Sequence, residues 1–228
     1  MGERPGSLRT EPFAAEREWT VEGVPVLSAA VRVPQPEPAA DKISRRIKRF
    51  YQLQCRSFLH YCEQQLLPQA VAEYRAALAA SSPLPAFRAE LDYQITYNQD
   101  GFWSLYTQGR ETIGTGRALL TRRGDTWDLA AGYPVPLKDF FPAGMGWKKR
   151  LITHAEKEIL RRERAGVTRW KENWRRELRR CFNPQNFYLT AEGLAWFYPM
   201  YAIAPGQEGI PVFLLPYDKG VKLEREAE

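Results

Sequence analysis

The chain has 228 residues, 44% of them hydrophobic and 26% charged, with a formal net charge of +6. This composition excludes collagen-like, mucin-like and wholly disordered chains, and no run approaches the length of a membrane span. Three cysteines are too few for a disulfide scaffold, so the expectation is a soluble protein of one domain, or two small ones sharing a core, in a reducing compartment.

Residues 1–18 are polar, carry Pro5 and Pro12, and read as a disordered arm. Trp19–Val33 reads as an irregular or edge strand because Pro25 interrupts Val24, Val26, Leu27 and Val31. Pro34, Pro36 and Pro38 mark a linker over 34–40. Asp41 is placed to cap a long helix whose stripe is Ile43, Ile47, Phe50, Phe58, Leu59, Cys62 and Leu66. Pro68 should kink or restart that helix, and Ser81–Pro85 should end it.

Leu91, Tyr93, Ile95 and Tyr97 alternate with polar residues, which predicts a half-buried strand. Asn98–Gly101 supplies a hairpin turn into a return strand from Phe102. A second hairpin is expected to turn through Arg122-Arg-Gly-Asp125. A second long helix is expected after Gly146, with a stripe of Trp147, Ile152, Ala155 and Ile159. A break at Gly166 is followed by a further stripe of Val167, Trp170, Trp174, Leu178 and Cys181. Strands follow at Phe187–Leu189, Leu194–Tyr198 and Val212–Leu215, then a polar tail over 219–228. The order predicts an α+β fold, with an antiparallel sheet packed by two long helices.

Charge is concentrated. Lys148–Arg180 holds thirteen Lys/Arg against five Glu, so the rest of the chain is slightly acidic. Such a block suits nucleic acid or an acidic partner, and also an ordinary solvated helix face. Its candidate surface residues are Lys148, Lys149, Arg161, Arg162, Arg175, Arg176, Arg179 and Arg180.

Catalytic signals are sparse. His60 and His154 lack a metal-ligand companion at i+3 or i+4. Cys55 and Cys62 lie seven apart on one helix face and read as buried thiols. Cys181 has Arg179 and Arg180 beside it, which would lower its pKa. Asp125, Asp128 and Asp139 are candidates for a converging acid pair, and Gly114-Thr-Gly116 is a fragment of a phosphate loop without its helix. No enzyme activity, metal or cofactor is expected.

The most distinctive stretch is Asn186–Tyr217. It strings together Phe187–Thr190, Gly193–Leu194, Tyr201–Pro205, Gly209–Pro211 and Pro216–Tyr217. These elements resemble a bacterial family of domains of unknown function typified by the C-terminal domain of RsiV, a lysozyme-sensing anti-sigma factor. The family also occurs beside peptidoglycan deacetylase domains. Val24–Leu27 with Ile43 and Ile47 resembles its N-terminal companion domain. The resemblance implies a two-part architecture: 19–85 as the companion-like strand and helix, 86–218 as the RsiV-like domain. It further implies a non-enzymatic binding or sensing module of a Gram-positive-type bacterium, with an unidentified protein or glycan ligand. The family's Gly-Gly-Ala-His-Gly stretch is replaced here by Thr112–Ala118, without a histidine. Lysozyme binding is not carried over, because lysozymes are basic and so is this chain. The expected contact loop carries Tyr201, Ile203, Pro205, Gly209 and Pro211, with Tyr217 beyond it; the same residues would otherwise close a sheet edge. A nucleic-acid surface along 148–180 is the alternative function, and a cell-wall hydrolase a third. The cytoplasm is the expected compartment of the sequence as it stands, and the envelope if an upstream segment precedes it.

Overall fold

A computed structural model describes residues 6–223 apart from 115 and 117. The chain divides into two compact units. One comprises Arg9–Tyr93 and Thr107–Leu120; the other comprises Gln94–Tyr106, the chain from Thr121 onward and the residues before Arg9. The fold is mixed α and β, and the described residues form one sheet of six strands and one of three.

In the first unit, β1 (Thr10–Val21) and β2 (Val24–Pro36) form a long antiparallel ribbon. Glu22 and Gly23 join them with φ of 52° and 82°, as a two-residue hairpin loop requires. The arm expected over 1–18 is therefore strand from Thr10, held by main-chain pairing rather than by apolar alternation; residues 1–5 lie outside the described residues. The expected linker also begins too early. Pro34 and Pro36 belong to β2, where they pair with Pro12 and Thr10 of β1. The pairing of β2 with its other neighbour covers only Leu27–Val31, so these prolines leave no ladder donor missing there.

Asp41 caps α1 (Lys42–Tyr61): its Oδ1 accepts from Ile43 N at 2.7 Å and Ser44 N at 2.9 Å. A π turn over Cys62–Leu66 leads into α2 (Leu67–Ala79), with Pro68 in its first turn. The wider turn removes the demand on a proline N–H that does not exist. It also keeps one face aligned, so Cys62, Leu66, Ala70 and Tyr74, at steps of four, all stay buried against Leu27, Ala29, Phe87 and Ala89. Because α1 and α2 cross over between strands, β2 pairs parallel with β3 (Phe87–Gln99). The expectation of a wholly antiparallel sheet is corrected at that pair.

Asp100 and Gly101, with φ of 55° and 76°, turn β3 into β4 (Phe102–Ile113), as the sequence predicts. β5 (Leu119–Asp128) then runs straight through Arg122–Asp125, so the second hairpin is absent. Gly124 is small for another reason. A Cβ there would stand 1.9 Å from the Phe187 carbonyl oxygen, so the glycine lets another backbone pass. β6 (Tyr133–Pro134) pairs with the end of β5. The sheet order is β1-β2-β3-β4-β5-β6.

The second unit completes its core with α3 (Trp147–Arg164), α4 (Trp174–Arg180) and the antiparallel sheet β7 (Phe187–Leu189), β8 (Gly193–Phe197), β9 (Val212–Pro216). Leu151, Ala155 and Ile159 bury α3 against Trp196, Phe213 and Leu215. The second long helix is thus two shorter ones. Gly166, at φ 66°, ends the first, and residues 168–171 are neither helix nor strand, with Lys171 N–H donating to the Ile203 carbonyl at 3.1 Å. No helix among the described residues is long and apolar enough to cross a membrane.

Candidate functional site

The loop between β8 and β9 is built from short-range constraints. Pro205 starts a 3-10 turn over Gly206–Glu208, and Gly209 closes it at φ 68°, ψ −135°, a conformation open to glycine. Tyr198 N–H donates to the Pro211 carbonyl at 3.0 Å, pinning the loop's far end. The irregular segment after α3 ties the loop down at two further points: Arg169 N–H donates to Glu208 Oε1 at 3.1 Å, and the Lys171 ammonium donates to the Tyr201 carbonyl.

Within this frame Tyr201 stands apart. Its backbone is left-handed at φ 66°, the residue is 46% exposed, and its ring lies over Gly206. A Cβ at Gly206 would stand 2.2 Å from the ring. The other loop candidates face inward. Ile203 is fully buried in the core, Pro211 is buried, and Pro205 is half-buried. Tyr217 donates its hydroxyl to the Thr190 carbonyl at 2.7 Å and meets the Tyr97 ring edge-on at 6.5 Å. Ile203, Pro211 and Tyr217 therefore pack inward, Pro205 and Gly209 are half-buried, and Tyr201 is the exposed one of these six candidates. Gly206 and Lys171, which set its pose, carry no sequence signal for this role, because they reach Tyr201 through space.

Most of the basic candidates are engaged within the chain. Arg161 and Arg162 both bind Glu158 at 2.7 Å, and Arg162 also donates to the Val212 carbonyl at 3.1 Å, beneath the Phe213 ring. His154 donates to the Leu214 carbonyl and packs edge-on against Trp196; burial lowers its pKa. These two side chains satisfy carbonyls on the edge strand β9. Arg176 and Arg180 bind the buried Glu177, and Arg179 binds Glu156. Arg175 lies 4.3 Å from the Trp174 ring and Lys148 5.5 Å from the Phe182 ring. Lys149 is exposed.

The remaining chemistry is occupied locally. Asp125 is buried and bound to Arg123 at 3.1 Å, Asp128 accepts from Ala130 and Ala131 N–H, and Asp139 is exposed in a 3-10 turn. Burial raises the Cys181 pKa, with the Glu177 carboxylate at 3.6 Å adding to it, which corrects the lowering expected from the nearby arginines. Cys55 and Cys62 are buried free thiols. His60 is exposed. Among the described residues no group of three His, Cys, Asp or Glu is placed to hold a metal ion. Thr115 and Arg117, within the Thr112–Ala118 segment and the phosphate-loop fragment, lie outside the described residues, as do residues 224–228 of the tail.

No curated protein matches the chain. Among solved structures, it superposes on a member of the DUF3298 family from Bacteroides fragilis with a TM-score of 0.68. Identity is 15%, over 95% of this chain and 93% of that one. A DUF3298 family protein from Pseudomonas aeruginosa gives a TM-score of 0.60 at 16% identity, over 95% of each chain. At these identities the likeness is one of fold. Residues 138–218, which run from the turn before α3 through β9, match the model of the family described as "Protein of unknown function (DUF3298)".

Proposed function

We propose that the protein is a non-enzymatic binding module that meets a protein or glycan partner through the Tyr201–Pro211 loop, with the Tyr201 ring as its anchor. The observation carrying this reading is the pose of Tyr201. A left-handed non-glycine backbone costs about 1–3 kcal/mol, yet the residue is left 46% exposed, where burial returns only part of that cost. A rigid, exposed aromatic on a pinned loop is the kind of residue that dominates binding interfaces. The resemblance of Asn186–Tyr217 to the C-terminal domain of RsiV supports a sensing role for the same stretch. The nucleic-acid alternative has less support, since Arg161, Arg162, Arg176, Arg179 and Arg180 each meet a carboxylate of the chain itself.

The test is affinity capture from native lysate, with and without nuclease, using wild type, Tyr201→Ala and Gly206→Ala. Both variants should melt close to wild type, because the atoms disturbed are the outer end of an exposed side chain. A stoichiometric partner that survives nuclease and is lost from both variants supports the loop. A partner retained by both, or a set of partners that vanishes with nuclease, refutes it.

A further inference from the structure

Beyond the loop, the head of α3 carries a groove that none of the loop residues lines. It consists of two depressions of ≈590 Å³ and ≈550 Å³ that share Met145, Gly146, Lys149 and Thr153. Lys149 and Thr153 sit one turn apart, so they form the ridge between the two. The first depression is floored by Met145, Trp147 and Ile152 and rimmed by Lys148 and Arg179. The second is ringed by Arg150, Lys157 and Lys219, with Leu215 at its base.

The charges here are unbalanced. Glu156 is the one carboxylate lining either depression, and Arg179 already holds it. Arg150 donates to the Lys219 carbonyl, and His154 donates to the Leu214 carbonyl. Among the described residues Lys148, Lys149, Lys157 and Lys219 form no ion pair, and Lys149, Lys157 and Lys219 are exposed. Farther along the basic stretch Arg161 and Arg162 are held by Glu158, and Arg176 and Arg180 by Glu177, whereas the lysines of this groove stay uncompensated. Lysines act as point charges rather than bidentate forks, and the floor beside them is apolar. The complementary ligand carries several negative charges on an apolar frame.

We propose that this groove docks a short acidic peptide segment of a partner protein. Its carboxylates meet Lys149, Lys157 and Lys219, and an apolar side chain enters the Met145–Trp147–Ile152 depression. The rise from Lys149 to Lys157 is about 12 Å, which an extended peptide covers in about four residues. Past Lys157 the next two cations, Arg161 and Arg162, are paired with Glu158, which interrupts the track a continuous nucleic-acid backbone would follow.

The test is fluorescence anisotropy with a labelled hexapeptide of alternating Glu and Phe, against its Lys-for-Glu counterpart and a twelve-nucleotide oligothymidine. The expected result is saturable binding of the acidic peptide alone, weakening several-fold between about 50 and 300 mM salt. The Lys149→Glu, Lys157→Glu, Lys219→Glu triple variant should bind at least about tenfold more weakly with an unchanged melt, since all three side chains are exposed. Tyr201→Ala should bind like wild type, which separates this surface from the loop. Absence of acidic-peptide binding at millimolar concentration, equal binding by the triple variant, loss of binding in Tyr201→Ala, or tighter binding of the oligothymidine would each overturn the proposal.

Discussion

Gly124→Ala is the sharpest probe of how the second unit is assembled. The added Cβ would lie 1.9 Å from the Phe187 carbonyl oxygen and 2.7 Å from its carbonyl carbon, where carbon atoms ordinarily keep about 3.5 Å. Both obstacles are backbone, so β5 and β7 must separate by about 1 Å. β7 has little freedom to yield: Phe187 is buried beside Phe140 at 5.8 Å, and Leu189 N–H donates to the fully buried Ser104 hydroxyl at 2.8 Å. Overpacking of this kind costs about 1–3 kcal/mol, and loss of the buried hydrogen bond about 1 kcal/mol more. A destabilisation of roughly 3 kcal/mol follows, which for a chain of this size lowers Tm by roughly 6–12 °C. Urea titration followed by tryptophan fluorescence measures it, with Gly6→Ala as a control that meets no atom within 4 Å. If Gly124→Ala stays within about 0.5 kcal/mol of wild type, the close-approach reading of this glycine is wrong.

Two further outcomes can be checked in solution. Hydrogen bonds from Arg161 and Arg162 hold the Glu158 pKa down to about 2, so its stabilisation is complete above the ordinary value of 4.5 and drains away as pH falls toward 2. Arg161 is well exposed, so solvent screening limits the worth of the cluster to about 1 kcal/mol; Glu158→Gln should cost that much at pH 7 and converge on wild type near pH 2, and a gap that is constant with pH would contradict the assignment. Cys62 is fully buried with its thiol pushed up to about 11, whereas Cys181 is half-buried. A disulfide reagent at pH 8 should therefore label Cys181 first and reach Cys62 only on unfolding, and equal labelling rates would show that the helix face opens readily.

Local chemistry was legible along the chain wherever neighbours in sequence decide the conformation. The Asp41 cap, the disturbance at Pro68, the Asp100–Gly101 turn and the three closing strands all follow from residues within a few positions of one another. The Glu22–Gly23 turn carried the same kind of signal as Asp100–Gly101, and reading it as a hairpin would have located β1. Other features depend on partners far away in the chain. Gly124 resembles a turn glycine until β7 is laid across it, and Pro34 and Pro36 resemble a linker until β1 supplies the only partner they need. The same holds for the candidate surfaces. The thirteen cations of Lys148–Arg180 are plain in the sequence, but only packing shows which ones Glu156, Glu158, Glu177 and the β9 carbonyls occupy and which remain uncompensated around Lys149. Likewise the sequence presents Tyr201–Pro211 as one loop, and the core separates its exposed anchor from its buried supports. Propensity and periodicity act over a few residues; charge compensation and burial are set by whatever tertiary contacts bring within a few ångströms.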